Sequence, residues 1–348
     1  MNRVNPWRFK KEEVDGNTPS RGDGMSKEEE IVLRQKTCVF IRELGLQLTP
    51  KLQMRTTIAT ACIFFQRFYV RHSFKKHDHH VVALTCLFLA AKTEDEPRKL
   101  KKVAEKYHTL MQQKQNKTPI QLLNEETYFF YKSKVCIYER IVLQTLSFDL
   151  NVVHPHKIMI KMCKALTRTG ALSRAKGRDF AQHTFNFLND SVRTTVALVY
   201  SPNTLAASAV YLAFKYFEMP DITKKREKEE DGKENGEEEE EEEEEENEYQ
   251  KEMRENAPDI RDIAIQLVDM YFRDPKIQNE DTKMVTFKRV QCEIKSEKEI
   301  ASSSNNRDIT KETTTNKEKE EADPDKAIKR DAKKVLDGGS PRKQRRVE

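Results

Sequence analysis

The sequence has 348 residues, 36% hydrophobic and 35% charged, with a formal net charge of +5 at pH 7. A single folded core of this length normally holds more apolar residues, and no stretch approaches the ~20 consecutive apolar residues that a membrane-spanning helix needs. The net charge conceals an unbroken glutamate run, Glu237 to Glu246, without which the chain is clearly basic; that balance suits nucleic acid or acidic partners.

The N-terminus, MNRVNPWRFKKEE, lacks the apolar centre of a signal peptide. Cys38, Cys62, Cys86, Cys136, Cys163 and Cys292 form no CxxC pair, which argues against a zinc ribbon or redox motif. Most lie in apolar periodic stretches, as small buried hydrophobes do in a reducing compartment. The expectation is a soluble intracellular protein.

Residues 1–25 read as a leader. The first long helix starts near Ser26, which has the spacing of a capping box with Glu29. Ile31, Leu33, Cys38, Ile41 and Leu44 give it an apolar stripe, and Gly45 is the expected stop. Thr49–Pro50 reads as the N-cap and first position of a second helix, apolar nearly all round, to about Arg71. Asp78 caps a third helix containing VVALTCLFLAAK, and a short fourth follows Pro97 over about 98–108. Residues 112–123 read as a loop, and a fifth helix spans about 125–147.

The pattern then restarts. His154–Pro155 opens one helix, another covers about 176–195, and Ser201–Pro202 leads into LAASAVYLAFKYF. Pro258 begins a short amphipathic helix ending near Phe272. The segments ALTCLFLAAKTEDEP (83–97) and AASAVYLAFKYFEMP (206–220) superpose without a gap, pairing Ala83 with Ala206, Leu89 with Leu212, Ala90 with Ala213 and Lys92 with Lys215. This period is far too long for a solenoid and suits a duplicated bundle. The fold expected is all-α: two tandem five-helix repeats, over 26–150 and 151–273. An acidic insert at about 221–257 and a charged tail at 274–348 carry too little apolar surface to order.

Two five-helix repeats of this length resemble the cyclin fold. FLAAKTEDEPRK (88–99) is similar to the end of the third helix of a cyclin box, and YERIVLQTLSFDL (138–150), followed by HPH (154–156), to its fifth. RFYVRHSFKKH (67–77) and the leader PWRFKKEEVDGNTPSR (6–21) resemble the transcription-type cyclins T and K, and FLNDSVRTTVALVYSP (187–202) looks closer to cyclin K. The sequence LRQKT (33–37) departs from the docking patch of cell-cycle cyclins. The acidic insert falls where the second repeat would place a short fourth helix.

The resemblance implies a regulatory subunit that binds a cyclin-dependent kinase as a heterodimer. Lys92 and Glu139 would be the kinase-binding pair, with Leu89 and Phe148 as apolar anchors. It also implies a complex, in the nucleus, that phosphorylates the C-terminal domain of RNA polymerase II during elongation. From periodicity alone, Lys92 and Glu139 are equally an ordinary surface ion pair, and Leu89 and Phe148 plain core. The chain carries no Walker, Rossmann, zincin, hydrolase-elbow or kinase motif, so no catalytic residue and no cofactor is expected. His72, His77, His79 and His80 cluster before the third helix without a nearby cysteine and read as a solvated helix start, not a zinc site. In the tail, Arg342, Lys343, Arg345 and Arg346 form a candidate nuclear-import signal or nucleic-acid contact. The rival readings are a DNA-binding general transcription factor of the B type, which shares the double fold but carries a zinc ribbon, and a kinase-independent scaffold.

Overall fold

The computed structural model describes residues 7–168, 172, 174–219, 251 and 253–300. The described residues contain helices and no strand. They run α1 (Lys11–Asp15), α2 (Pro19–Gly22), α3 (Lys27–Gln47), α4 (Ala59–Arg71), α5 (His79–Thr93), α6 (Leu100–Lys114), α7 (Glu125–Thr145), α8 (His156–Arg168), α9 (Arg174–Ser191), α10 (Val196–Val199), α11 (Pro202–Tyr216), α12 (Ala257–Phe272), α13 (Pro275–Gln278) and a last helix, α14, over 281–300. Met1–Ile294 forms one compact unit; of a second, Lys295–Glu348, only 295–300 are described, and they are helical.

The first bundle is built around α5. Asp78 caps it, its carboxylate accepting from the His80 and Val81 amides at 2.8 and 3.4 Å. Nearly every later residue of α5 is buried, against α3, α4, α6 and α7. The capping box at α3 forms as the sequence indicates: the Glu29 amide donates to Ser26 Oγ at 3.2 Å and the Ser26 amide to Glu29 Oε2 at 2.9 Å. Gly45 does not end α3, which continues to Gln47. A Cβ at Gly45 would lie 2.8 Å from Ile58 Cδ1, so this glycine permits close approach to the start of α4. Nor is Thr49 an N-cap. Residues 48–53 are a connector, held where the Leu52 amide reaches the Gly45 carbonyl at 3.2 Å, and the chain enters α4 through a π-helical turn at Met54–Ile58. The helix α6 runs past its expected end because Gln112 is buried and clamps the following loop, exchanging two 2.8 Å hydrogen bonds with the Gln121 backbone.

The second bundle is built around α11, the counterpart of α5. Ala83, Ala90, Ala206 and Ala213 are all fully buried, as the internal match requires. Its membership differs from the sequence reading at the C-terminal side. The charged tail was expected to begin at 274, yet 281–300 is helix, and Phe287, Val290 and Ile294 are buried in the second core. Phe287 stacks on Tyr271 with ring centroids 4.7 Å apart, and Arg289 donates to the Lys215 and Tyr216 carbonyls at 3.1 and 3.3 Å, capping α11. The three apolar residues share one helix face; the surrounding lysines and glutamates hid that face in the bulk composition. Residues 253–255 are also helical with Met253 in the second core, so the acidic insert ends before 257; residues 220–250 lie outside the described residues, as does the basic segment Arg342–Arg346. Among the described residues, the second repeat has five long helices, α8, α9, α11, α12 and α14.

The leader belongs to the fold. Trp7 and Phe9 are buried under Arg67 and Arg71, each guanidinium 5.1 Å from a ring centroid. The Phe9 amide donates to the Leu198 carbonyl at 2.8 Å, and Lys11 pairs with Asp262 at 2.5 Å. Beneath lies a buried polar network centred on Glu30, which is 1% exposed. Its carboxylate accepts from Arg34 at 2.7 and 3.0 Å and from Thr18 at 2.7 Å, and pairs with Arg21 at 2.9 Å. Arg34 continues to Gln66 Oε1 and the Tyr69 carbonyl, each at 2.8 Å.

Three outcomes follow for stability. Glu30→Ala strands the buried Arg34 guanidinium and should cost about 3–5 kcal/mol in chemical denaturation. Phe287→Ala should cost about 3–5 kcal/mol, whereas a residue in a solvated tail would give no change. The third concerns pH. His79 and His154 donate or accept at Thr37 and Thr60 hydroxyls, at 3.1 and 2.9 Å, and burial pushes both down to about 4. Below about 6.5 the unfolded imidazoles bind protons that the folded ones refuse, so stability falls as pH drops from 6.5 towards 4. The melting temperature should decline between pH 6.5 and 5.5, and a His79→Asn/His154→Asn variant should decline less.

Candidate partner-binding surface

The helix α7 is only half covered. Asn124 caps it, accepting from the Thr127 amide at 2.8 Å, and of its 21 residues only Val135 and Val142, two turns apart, are buried. The opposite face presents Phe130 and Ile137, also two turns apart and 56% and 48% exposed. An amphipathic helix of a closed bundle would turn polar residues outward there.

On the side of α7 that meets α5, half-buried Phe88 and exposed Lys92 lie one helical turn apart on α5. Lys92 Nζ lies 4.4 Å from the Phe88 ring centroid and forms an ion pair with Glu139 of α7. A pair this exposed contributes only about 0–1 kcal/mol to stability, so its value to the fold is small. Its position is the notable property: the pair joins the C-terminal turn of α5 to the flank of α7 that borders the core, on the side away from Phe130 and Ile137.

The end of α7 is shaped by backbone geometry. The Ser147 amide donates to the Gln144 carbonyl and the Phe148 amide to the Leu143 carbonyl, both at 3.0 Å, which is a Schellman closure. Ser147 and Phe148 have φ of 52° and 58°. A left-handed conformation costs of order 1–3 kcal/mol for a bulky residue and persists where the surroundings enforce it. Here it leaves the Phe148 ring 67% exposed, at the mouth of a cavity of about 990 Å³ lined also by Arg67, His154 and Tyr200. Burial lowers the Arg67 guanidinium to about 10, so it stays charged at neutral pH.

The structure therefore joins Lys92 to Glu139, as the sequence placed them, and leaves Phe148 exposed. Leu89 is different: at 4% exposure it lies in the first core beneath Lys92, not on the surface. Phe88, Phe130 and Ile137 were not singled out from the sequence. Their signal was available in the helical rows 88/92 and 130/137 once Val135 and Val142 are assigned to the core. His72 of the histidine cluster is stacked on Phe68 at 4.4 Å and bonded to Thr145 Oγ1 at 2.8 Å. Among the described residues no group of three His, Cys, Asp or Glu is placed to hold a metal ion, and no helix is long and apolar enough to cross a membrane.

Comparison with known proteins agrees with this architecture. Residues 7–151 match the family described as Cyclin, N-terminal domain. The chain is 36% identical over 216 residues to Cyclin-T1-5 of Arabidopsis thaliana, covering 62% of this chain and 36% of that protein. It is 34% identical over 204 residues to human Cyclin-L2, covering 58% of this chain and 37% of that protein. The chain thus spans well under half the length of these curated relatives. A chain in the crystal structure of the yeast RNA Pol II CTD kinase CTDK-1 complex shares the fold, with a TM-score of 0.55 and 16% identity over 79% of this chain and 76% of that one. That shared fold extends well beyond the matched first repeat. Cyclins are regulatory subunits and not catalysts, and residues 7–151 carry the cyclin N-terminal domain, in a chain similar in sequence to cyclins T and L.

Proposed function

We propose that this chain is the activating subunit of a cyclin-dependent kinase that acts in transcription. The observation that carries the reading is the surface Lys92–Glu139 pair that bridges α5 and α7, with Lys92 lying over the Phe88 ring. A surface charge pair with apolar side chains on the same bundle is suited to a partner helix: Phe88 under Lys92 and the exposed Phe148 give apolar area, and the pair fixes register. Leu89 acts from below by holding the helical turn that carries Lys92; the Thr93 hydroxyl returns to its carbonyl at 3.0 Å.

A protein kinase needs its strand lysine paired with a glutamate on a mobile helix before phosphoryl transfer proceeds. A subunit that binds only the inward position of that helix shifts the population towards it. The kinase so activated phosphorylates the C-terminal domain of RNA polymerase II and promotes elongation. The likeness to cyclin T supports that finer reading, as does the shared fold with a chain of the yeast RNA Pol II CTD kinase complex. Nuclear entry is assigned to Arg342, Lys343, Arg345 and Arg346, and the same basic tail is the candidate contact for nucleic acid.

The test is affinity purification of the full chain and of a Lys92→Ala/Glu139→Ala variant, followed by assay of captured kinase on a polymerase C-terminal repeat peptide. The wild type should capture activity and the double variant should lose at least roughly tenfold, equivalent to about 1.4 kcal/mol of binding, with an unchanged melting temperature. Full activity with the variant would dismiss the site. A wild type that captures no kinase would favour a DNA-binding or scaffold role.

A further inference from the structure

We infer that the groove between α8 and α9 is a second docking surface, separate from the kinase-facing strip, and that it takes an acidic amphipathic helix of a partner protein. The groove has a volume of about 880 Å³. Its floor is apolar, with Met159 and Cys163 of α8 buried, and with Ile160 41% exposed at its edge. On the α9 side Gly177 and Ala181 supply little side-chain volume, which opens the space, and Phe185 closes the far end.

The rim is uniformly positive. Lys161, Lys164 and Arg168 project from α8 and Arg178 from α9, and among the described residues no Asp or Glu lines the groove. The whole of α8, HKIMIKMCKALTR, contains no acidic residue. Lys161, Lys164 and Arg168 are spaced at three and four residues, so their charges face one another along one side of the helix. Like charges at this spacing disfavour a helix by about 0.2–0.5 kcal/mol per pair. The fold itself derives no ion pair from Lys161, Lys164 or Arg178 among the described residues. An acidic ligand would relieve that repulsion.

The shape selects among acidic ligands. The 13 residues of α8 span about 20 Å at 1.5 Å per residue, the length of a partner helix of three to four turns. Apolar residues on one stripe of such a helix would fill the floor beside Ile160, and glutamates or aspartates on both flanks would meet the two rims. Single-stranded nucleic acid fits less well. It requires exposed aromatic faces for base stacking, and Phe185, the groove's aromatic residue, packs on His156 at 5.2 Å.

The test uses fluorescence anisotropy on the full chain. The probe is a labelled synthetic helix of about four turns, with leucines on one stripe and glutamates elsewhere. The controls are the same leucines with lysines in place of the glutamates, a decaglutamate and a single-stranded RNA. The acidic helix should bind, lose affinity as salt is raised, and weaken at least roughly tenfold (about 1.4 kcal/mol) on both Ile160→Ser and Lys161→Glu/Lys164→Glu. These variants replace exposed side chains, and each should melt with the wild type and retain kinase capture through Lys92 and Glu139. If either variant unfolds, the other decides the matter. Equal binding of decaglutamate, of the lysine peptide or of RNA would overturn the proposal. So would probe binding that occurs only after deletion of Glu237–Glu246, since the occupant would then be the chain's own glutamates.

Discussion

The Glu30 carboxylate is the point on which the arrangement of this molecule depends. It is buried beyond the reach of water, and it is held by groups from separate stretches of chain: Thr18 and Arg21 of the leader and Arg34 of α3. Arg34 passes the connection to α4 through Gln66 and the Tyr69 carbonyl, and Gln66 donates onward to the Val192 carbonyl at 3.3 Å, in the turn after α9 of the second bundle. Buried ion pairs seldom add net stability over an apolar core, because desolvation offsets the attraction. What this one provides is uniqueness. The leader, two helices of the first bundle and the link to the second can satisfy these charges in one arrangement, and any slip of α3 against α4 would strand at least one of them.

That constraint reaches the partner surface through α4 and α5. The two helices pack against each other, and α5 is buried on nearly every side, so the core holds its C-terminal turn. Lys92 and Phe88 are therefore presented in a fixed orientation by residues that never touch the surface. The opposite holds for α7, anchored by little more than Val135, Val142 and Leu146. A helix that gives so little of itself to its own core keeps an apolar face for something else, and the Schellman closure at Phe148 extends that face beyond the last helical turn.

Much of this was legible in the sequence, and the failures have physical causes. Ser26, Asp78 and Ser201–Pro202 cap helices because a short polar side chain or a proline at those positions satisfies local backbone groups, whatever the tertiary context. Gly45 and Thr49–Pro50 misled for the same reason in reverse: a local stop or start signal was overruled by packing against Ile58 and by the connector that Leu52 secures. Residues 281–300 were missed because mean composition outweighed a three-residue apolar stripe. At the site, Lys92 and Glu139 stood out through their surrounding motif, and Phe148 with them. Leu89 was expected as an apolar anchor beside the pair, and a helix buried on nearly all faces gives no periodic sign of which apolar residue points outward. Phe88, adjacent to it, is the one that does.

The internal duplication explains why the first repeat alone offers this surface. Lys215 aligns with Lys92 at the end of the corresponding central helix, yet Lys215 is buried and lies 5.5 Å from the Tyr211 ring centroid. The carbonyls of its helix end are taken by Arg289 of α14, the segment whose charge made it look like tail. The fifth helix of the first repeat leaves the end of α5 open, and the fifth helix of the second closes the end of α11. One skeleton thus carries two chemistries: an exposed charge pair over the Phe88 ring in the first bundle, and in the second a sealed helix end with its open groove moved to α8 and α9. A duplicated fold of this kind can hold two different partners without either competing for the other's surface.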